Sequence, residues 1–526
     1  MNHLLHNPLL PGFYPDPSVC RKGDDYYMVT SSFEFFPGIP IFHSRDFVHW
    51  HQIGHVLTRP SQLNLDHVKP SKGIYAATIR YCEKNQRFYV ITTLVQDPPY
   101  WGNLNFYVSS EHPEGPWSDP VVISGAEGID PTLFFDEDRV YYLGNRRPHP
   151  EIPELEDRHI WLQEIDLGKG ELIGERWTLL TDGALHHAVA PEGPHMYKKD
   201  GWYYLLIAEG GTDHNHSSTI FRSRHPEGPY ECNPRNPVLT HRHLPKSFPI
   251  HSTGHSDLIQ LANGEWWAVL LASRPDGGDY RNLGRETFAV PVIWEEGWPL
   301  YSPDTGKVEF SYPAPRLTPK PWPEPPACDQ FEENNLDYCW QLLRTPRHPI
   351  YSLNARPGFL RLYLNEDTLS GTGNPAFVGR RQQHIYFQTR TVMDFSPTAN
   401  GESAGICLLL NNDYHLRLEL GCWEGKMLLR LTKRFAGQDI ILSQTAFNQN
   451  RIWLQVIARE QDFSFQYASE AGRWETLAAQ VDGTLLSKEV AGGFTGTLIG
   501  MYASSDGHPT NDYADFDWFE YKEIMK

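Results

Sequence analysis

Five times within residues 1–310 the chain repeats one pattern: a polar turn, a pair of bulky, mostly aromatic residues, then an apolar run of strand length. The copies are Asp24-Asp-Tyr-Tyr-Met-Val-Thr, Gln86-Arg-Phe-Tyr-Val-Ile-Thr, Arg139-Val-Tyr-Tyr-Leu-Gly, Gly201-Trp-Tyr-Tyr-Leu-Leu-Ile and Glu265-Trp-Trp-Ala-Val-Leu. Their anchors, Tyr26, Phe88, Tyr141, Tyr203 and Trp266, stand 62, 53, 62 and 63 residues apart. A second repeat has about twice that period: His112-Pro-Glu-Gly-Pro-Trp returns as His225-Pro-Glu-Gly-Pro-Tyr, 113 residues later. Units of this length, rich in short strands, predict the four-stranded blades of a propeller. A β-sandwich with coincidental aromatic pairs is the competing reading.

The pattern changes after a stretch with seven prolines between Pro313 and Pro326, which cannot form a helix or a central strand. Beyond it, segments such as His415-Leu-Arg-Leu-Glu-Leu and Phe463-Ser-Phe-Gln-Tyr alternate apolar and polar residues, separated by turn signals such as Asp482-Gly483. That alternation predicts an antiparallel jelly-roll sandwich. The expected fold is all-β: a five-bladed propeller over 1–312, a Pro-rich linker over 313–327 and a sandwich over 328–526. A long Pro-rich loop inside one domain is the alternative reading of the linker.

Composition agrees. The 526 residues exceed a typical single core, and the 42 Gly and 42 Pro favour many turns over long helices. A net charge of −19 argues against nucleic acid or an anionic membrane as partner. No apolar run reaches the length of a membrane-spanning helix, and the N-terminus lacks the basic and apolar regions of a secretory signal. Seven cysteines without a CxxC pair suggest reduced thiols, so the expected location is the cytoplasm.

The chemistry emerges ten or eleven residues before the aromatic anchors. Blade one there has Asp16, blade three Asp130, blade four Glu192 and blade five His255; blade two offers Tyr75 and no acid. The first strand of each propeller blade lines the central channel, so these positions converge across as many as 239 residues of chain. Three acids at a position where a structural repeat would carry small or apolar residues point to chemistry. Crowded carboxylates push one pKa upward and leave a neutral acid beside an ionised base, the division that glycoside hydrolysis requires. Nearby Phe33, Phe35, Phe36 and Tyr75 are candidates to stack on sugar rings, though for each taken singly the core is the stronger reading. Histidines at 186, 187, 214, 216, 241, 243, 251 and 255 include HxH pairs, but no HExxH motif accompanies them, and no GxSxG elbow is present. A non-catalytic sugar-binding propeller would have no need of Asp16, Asp130 and Glu192 together.

Phe13-Tyr-Pro-Asp-Pro-Ser-Val, Ser32-Phe-Glu-Phe-Phe-Pro-Gly, Glu192-Gly-Pro-His-Met-Tyr, Ala208-Glu-Gly-Gly-Thr and Leu283-Gly-Arg-Glu-Thr resemble the signatures of glycoside hydrolase family 43, specifically its two-domain β-xylosidases and α-L-arabinofuranosidases. The resemblance implies an exo-acting, inverting enzyme that removes terminal pentose from xylo- or arabino-oligosaccharides. Asp16 is then the general base, Glu192 the general acid, and Asp130 the residue that raises and orients the acid. Arg285 is implied to bond sugar hydroxyls near the acid pair, Phe33 to wall the sugar, and Phe494 to reach in from the sandwich on Gly492-Gly-Phe-Thr-Gly. His255 corresponds to the channel histidine, beside which some members hold a water-ligated structural calcium; no cofactor is required. The chain departs from the usual pattern at Tyr14, Tyr75 and Gly193, which leaves xylose against arabinose preference open. A homo-oligomer also remains open.

Overall fold

The structure, a computed structural model, describes the chain except residues 1–2, 98–102, 150–151, 153–156 and 186–188. His186 and His187 therefore lie outside the described residues. The five repeats form five antiparallel sheets whose principal strands follow chain order. Blade one is Ser18–Lys22, Asp25–Val29, Gly38–Ser44 and His51–Leu57. The first strands of the others are Thr78–Cys82, Thr132–Asp136, Glu192–Lys199 and His251–Gln260.

The repeated aromatic pair explains how the blades hold together. Successive side chains on a strand point to opposite faces, so a pair of aromatics serves both neighbours of its blade. Tyr27 of blade one meets Phe88 of blade two edge-on at 5.1 Å, and Tyr89 meets Phe135 of blade three at 5.6 Å. Tyr203 meets Phe134 across blades three and four at 6.1 Å, and Tyr204 meets Trp298 of blade five at 6.1 Å. Trp267 returns to Phe47 of blade one at 5.7 Å. Each such pair contributes about 0.5–1.5 kcal/mol beyond its area burial. Leu4–His6 pairs with Ser311–Pro313, and Asn7 bonds both the carbonyl and the amide of Ala289, tying the N-terminal segment to blade five.

Residues 328–526 build a sandwich of two eight-stranded sheets. Among the described residues, helix is confined to one four-residue turn, Lys488–Ala491, beside a short 3-10 turn. The propeller completes one of these sheets: Phe35–Phe36, from blade one, pairs with Gln341–Leu343. Phe35 and Phe36 are thus buried between the two halves, as core residues rather than sugar-facing ones. Phe13, Phe33 and Phe35 share one apolar cluster with Phe377, Leu409 and Leu498 of the sandwich.

Among the described residues, no helix is long and apolar enough to cross a membrane. All seven cysteines are free.

Candidate active site

The convergent positions share a backbone device. Asp16, Asp130 and His255 adopt left-handed φ values of 54°, 54° and 48°. Such a bend costs a non-glycine residue of order 1 kcal/mol or more and persists where the surroundings enforce it. In blade four the bend falls beside the acid, at Ala190 and Gly193. A side chain at Gly193 would bring its Cβ within 2.5 Å of the His255 Nε2, so glycine lets blade four close on that imidazole.

Asp16 is buried and fully partnered. Ser31 Oγ donates to its Oδ2 at 2.6 Å, Arg285 Nη1 donates to its Oδ1 at 2.9 Å, and His255 Nδ1 lies 3.4 Å from the same oxygen. Burial by itself would raise this carboxyl; the Arg285 guanidinium, then His255 and Ser31, outweigh it and hold Asp16 well below the usual carboxylate range. The same contact lifts His255 to about 9 against the depressing effect of burial. Asp130 goes the other way: burial first, then the charges of Glu192 and Asp16, push it to about 7. The site thus contains a firmly ionised carboxylate and a carboxyl that retains its proton near neutrality.

Glu192 opens the first strand of blade four and is buried. Its Oε2 accepts from Arg158, which comes from the connection before strand His159–Asp166 of blade three. Nothing in the sequence singled out Arg158, one arginine in a charged, non-repeating segment. Ser31 was equally unannounced.

The aromatic wall joins both domains. Phe33 stacks against Phe494 at 6.3 Å and lies 5.1 Å from Tyr75. Arg285 sits 5.6 Å from the Phe33 ring and 5.8 Å from that of Phe494. Arg285 therefore engages Asp16 directly, where the resemblance had placed it near the acid pair. Tyr75 donates to the Ser71 carbonyl at 3.0 Å, and Ser71 Oγ accepts the Phe494 amide at 2.9 Å. A Cβ at Gly496 would stand 2.7 Å from the Leu283 carbonyl oxygen, so the sandwich loop meets blade five backbone to backbone.

Below His255, a buried network joins four blades. Asp257 accepts from Ser18, Arg80 and Tyr197 at 2.7, 2.8 and 2.6 Å, and Arg80 donates to His195 Nδ1 at 3.0 Å. Burial keeps His195 neutral, down at about 3. The calcium that the resemblance allows beside His255 is held through water; side-chain ligands for direct coordination are what this donor set does not offer. Among the described residues no three His, Cys, Asp or Glu side chains gather as ligands, and the two His255 nitrogens face Asp16 and Gly193. His216 and His241 instead bond the carbonyls of Ser252 and Ile250.

The comparisons with known proteins agree with this architecture. The model of the glycosyl hydrolases family 43 matches residues 5–299, and that of the beta xylosidase C-terminal concanavalin A-like domain matches 328–522. A xylosidase/arabinosidase of Butyrivibrio fibrisolvens is 40% identical, covering 99% of this chain and 100% of its own. A non-reducing end alpha-L-arabinofuranosidase of Bacteroides ovatus is 37% identical, covering 98% of this chain and 94% of its own. The solved structure of a xylan beta-1,4-xylosidase from Bacillus halodurans superimposes with a TM-score of 0.92 at 34% identity, covering 99% of this chain and 100% of that one.

Proposed function

The chain belongs to glycosyl hydrolases family 43, and on that premise we propose that it is an exo-acting, inverting glycosidase that removes a terminal β-D-xylosyl residue. Cleavage of α-L-arabinofuranosides is its second activity. The relative named xylosidase/arabinosidase, with the one named alpha-L-arabinofuranosidase, supports that pairing.

One observation carries the mechanism: within one buried site Asp16 is driven down and Asp130 is driven up. An ionised Asp16 takes the proton of a water molecule as that water attacks the anomeric carbon. Arg285 and Ser31 hold the carboxylate in place for the transfer, and cationic His255 supports its charge. Glu192 gives its proton to the departing glycosidic oxygen, which spares the reaction a free alkoxide. Asp130, pushed up to about 7 by burial and then by the charge of Glu192, orients the acid. The bound pentose packs against half-buried Tyr75 and Phe494, with buried Phe33 backing that wall.

Proton NMR of the first-formed xylose tests the stereochemistry: the α anomer is expected from a β-xyloside, and the β anomer would remove Asp16 from the role of base. Parallel rates on 4-nitrophenyl β-xyloside and 4-nitrophenyl α-L-arabinofuranoside test the substrate order.

A further inference from the structure

Glu192 has a partner that the scheme above leaves idle. Arg158 ends the connection between strands Arg139–Arg146 and His159–Asp166 of blade three. The first strand of a blade leaves the face where Asp16 and Asp130 bend, and the second, antiparallel to it, returns there. Arg158, directly before the third strand, therefore stands at the pocket end of the blade. From it Arg158 Nη1 donates to Glu192 Oε2, with side chains only 14% and 11% exposed. Among the described residues the guanidinium makes no other hydrogen bond. A guanidinium has five N–H donors in one plane, so beyond its bond to Glu192 the fork can take a second ligand.

We propose that Arg158 is a positioning residue on the leaving-group side, which holds the Glu192 carboxylate in the free enzyme and passes to the hydroxyls of the departing sugar when substrate enters. The proposal rests on the assignment of Glu192 as the general acid. A cation bonded to a carboxylate favours its ionised form, yet a general acid must carry a proton. Both conditions hold if substrate releases the contact. Burial, then the charge of Glu192, pushes Asp130 upward, so the free site has a carboxyl able to keep a proton. With the guanidinium turned to the sugar, that proton is free to reside on Glu192. Glu192 then gives it to the glycosidic oxygen as the C–O bond breaks with both electrons on that oxygen. Water forms the new C–O bond and yields its proton to Asp16. Solvent afterwards takes the proton from Asp16 and restores one to the Asp130–Glu192 pair. Two N–H groups of the fork match adjacent hydroxyls of a leaving sugar, which an aryl group lacks.

The test compares xylobiose with 4-nitrophenyl β-xyloside across pH for the full-length protein and its Arg158→Ala and Arg158→Lys variants. For Arg158→Ala the basic limb of kcat/KM is expected to move to higher pH. KM for xylobiose should rise roughly tenfold, the worth of a lost charged hydrogen bond, with KM for the aryl xyloside little changed. Arg158→Lys keeps the charge and loses the fork, so it should restore the limb and leave xylobiose impaired. If the Ala variant does not fold, the Lys variant carries the substrate comparison alone. A basic limb that stays put in a folded Ala variant, or equal losses on both substrates, overturns the proposal. Glu192→Ala separates the two levels. Full xylobiose activity in that variant removes the acid assignment itself. Its loss, with Arg158 variants like wild type, removes only this inference.

Discussion

Arg285 donates from Nη1 to Oδ1 of Asp16 at 2.9 Å, across a separation of 269 residues. Neither residue could hold this arrangement alone. Asp16 is buried in a left-handed bend of blade one, and Arg285 lies beside the third strand of blade five; closing the ring brings the first blade against the last. The ion pair keeps a desolvated carboxylate charged, and so able to accept a proton from water.

Arg285→Ala should therefore move the acidic limb of kcat/KM upward. The lost cation had favoured ionised Asp16, so the base becomes protonated at higher pH. Asp16→Ala should lower kcat by roughly 10²–10⁴-fold on aryl and natural xylosides alike, because water activation is lost whichever group leaves. An Arg285→Ala profile with an unmoved acidic limb would separate the arginine from the base.

Glu192→Ala should behave differently from Asp16→Ala. Loss should be severe for xylobiose and mild for nitrophenyl xyloside, whose leaving group departs without a proton. A Brønsted plot against leaving-group pKa measures this, and a slope equal to wild type would count against the role. Asp130→Asn removes a charge that acts on both Glu192 and Asp16, so it should shift the acidic and basic limbs of the pH profile as well as lower the rate.

His255 makes stability depend on pH in a definite direction. Its folded pKa, about 9, lies above the value near 6.5 of an exposed imidazole. The protonated pair with Asp16 stabilises the fold in full below about pH 6.5, and that contribution is lost as pH rises through about 9. Tm should fall between those values in wild type and fall less in His255→Gln. Parallel curves would show that the imidazole is not charged in the folded protein.

Phe494→Ala should raise KM by about tenfold, the order of one lost ring contact, while Tm changes little, since the side chain is half-buried. This point variant is more informative than removal of the sandwich. Removing residues 328–526 would uncover Phe33, Phe35 and Phe36, so lost activity in the truncated chain would report unfolding as readily as a missing wall.

Phe88→Ala tests the aromatic fastening of the blades. Phe88 is fully buried against Tyr27 of the preceding blade, and its loss should cost about 3–5 kcal/mol of unfolding free energy. Urea denaturation gives that value directly; a cost below 1 kcal/mol would mean that the junction between blades one and two is held by other contacts.

The sequence alone determined what depends on local pattern. Each blade is a short, self-contained run of four or five strands, so its turn and aromatic pair, and in three blades its acid, recur at nearly fixed offsets. Tyr26 through Trp266 and Asp16, Asp130, Glu192 and His255 were legible for that reason. Folding decided which groups meet these residues. Arg158 reaches Glu192 from a neighbouring blade, and Phe35–Phe36 enters a sheet whose other strands begin some 300 residues later. Such partners follow no period, because they are set by the curvature of a closed ring and by the docking of a second domain on it. The direction of each titration was decided there too. Asp16 and Asp130 occupy the same repeat position with the same φ, yet one faces Arg285 and His255 while the other faces Glu192, and only that difference in neighbours makes one a carboxylate and the other an acid near pH 7.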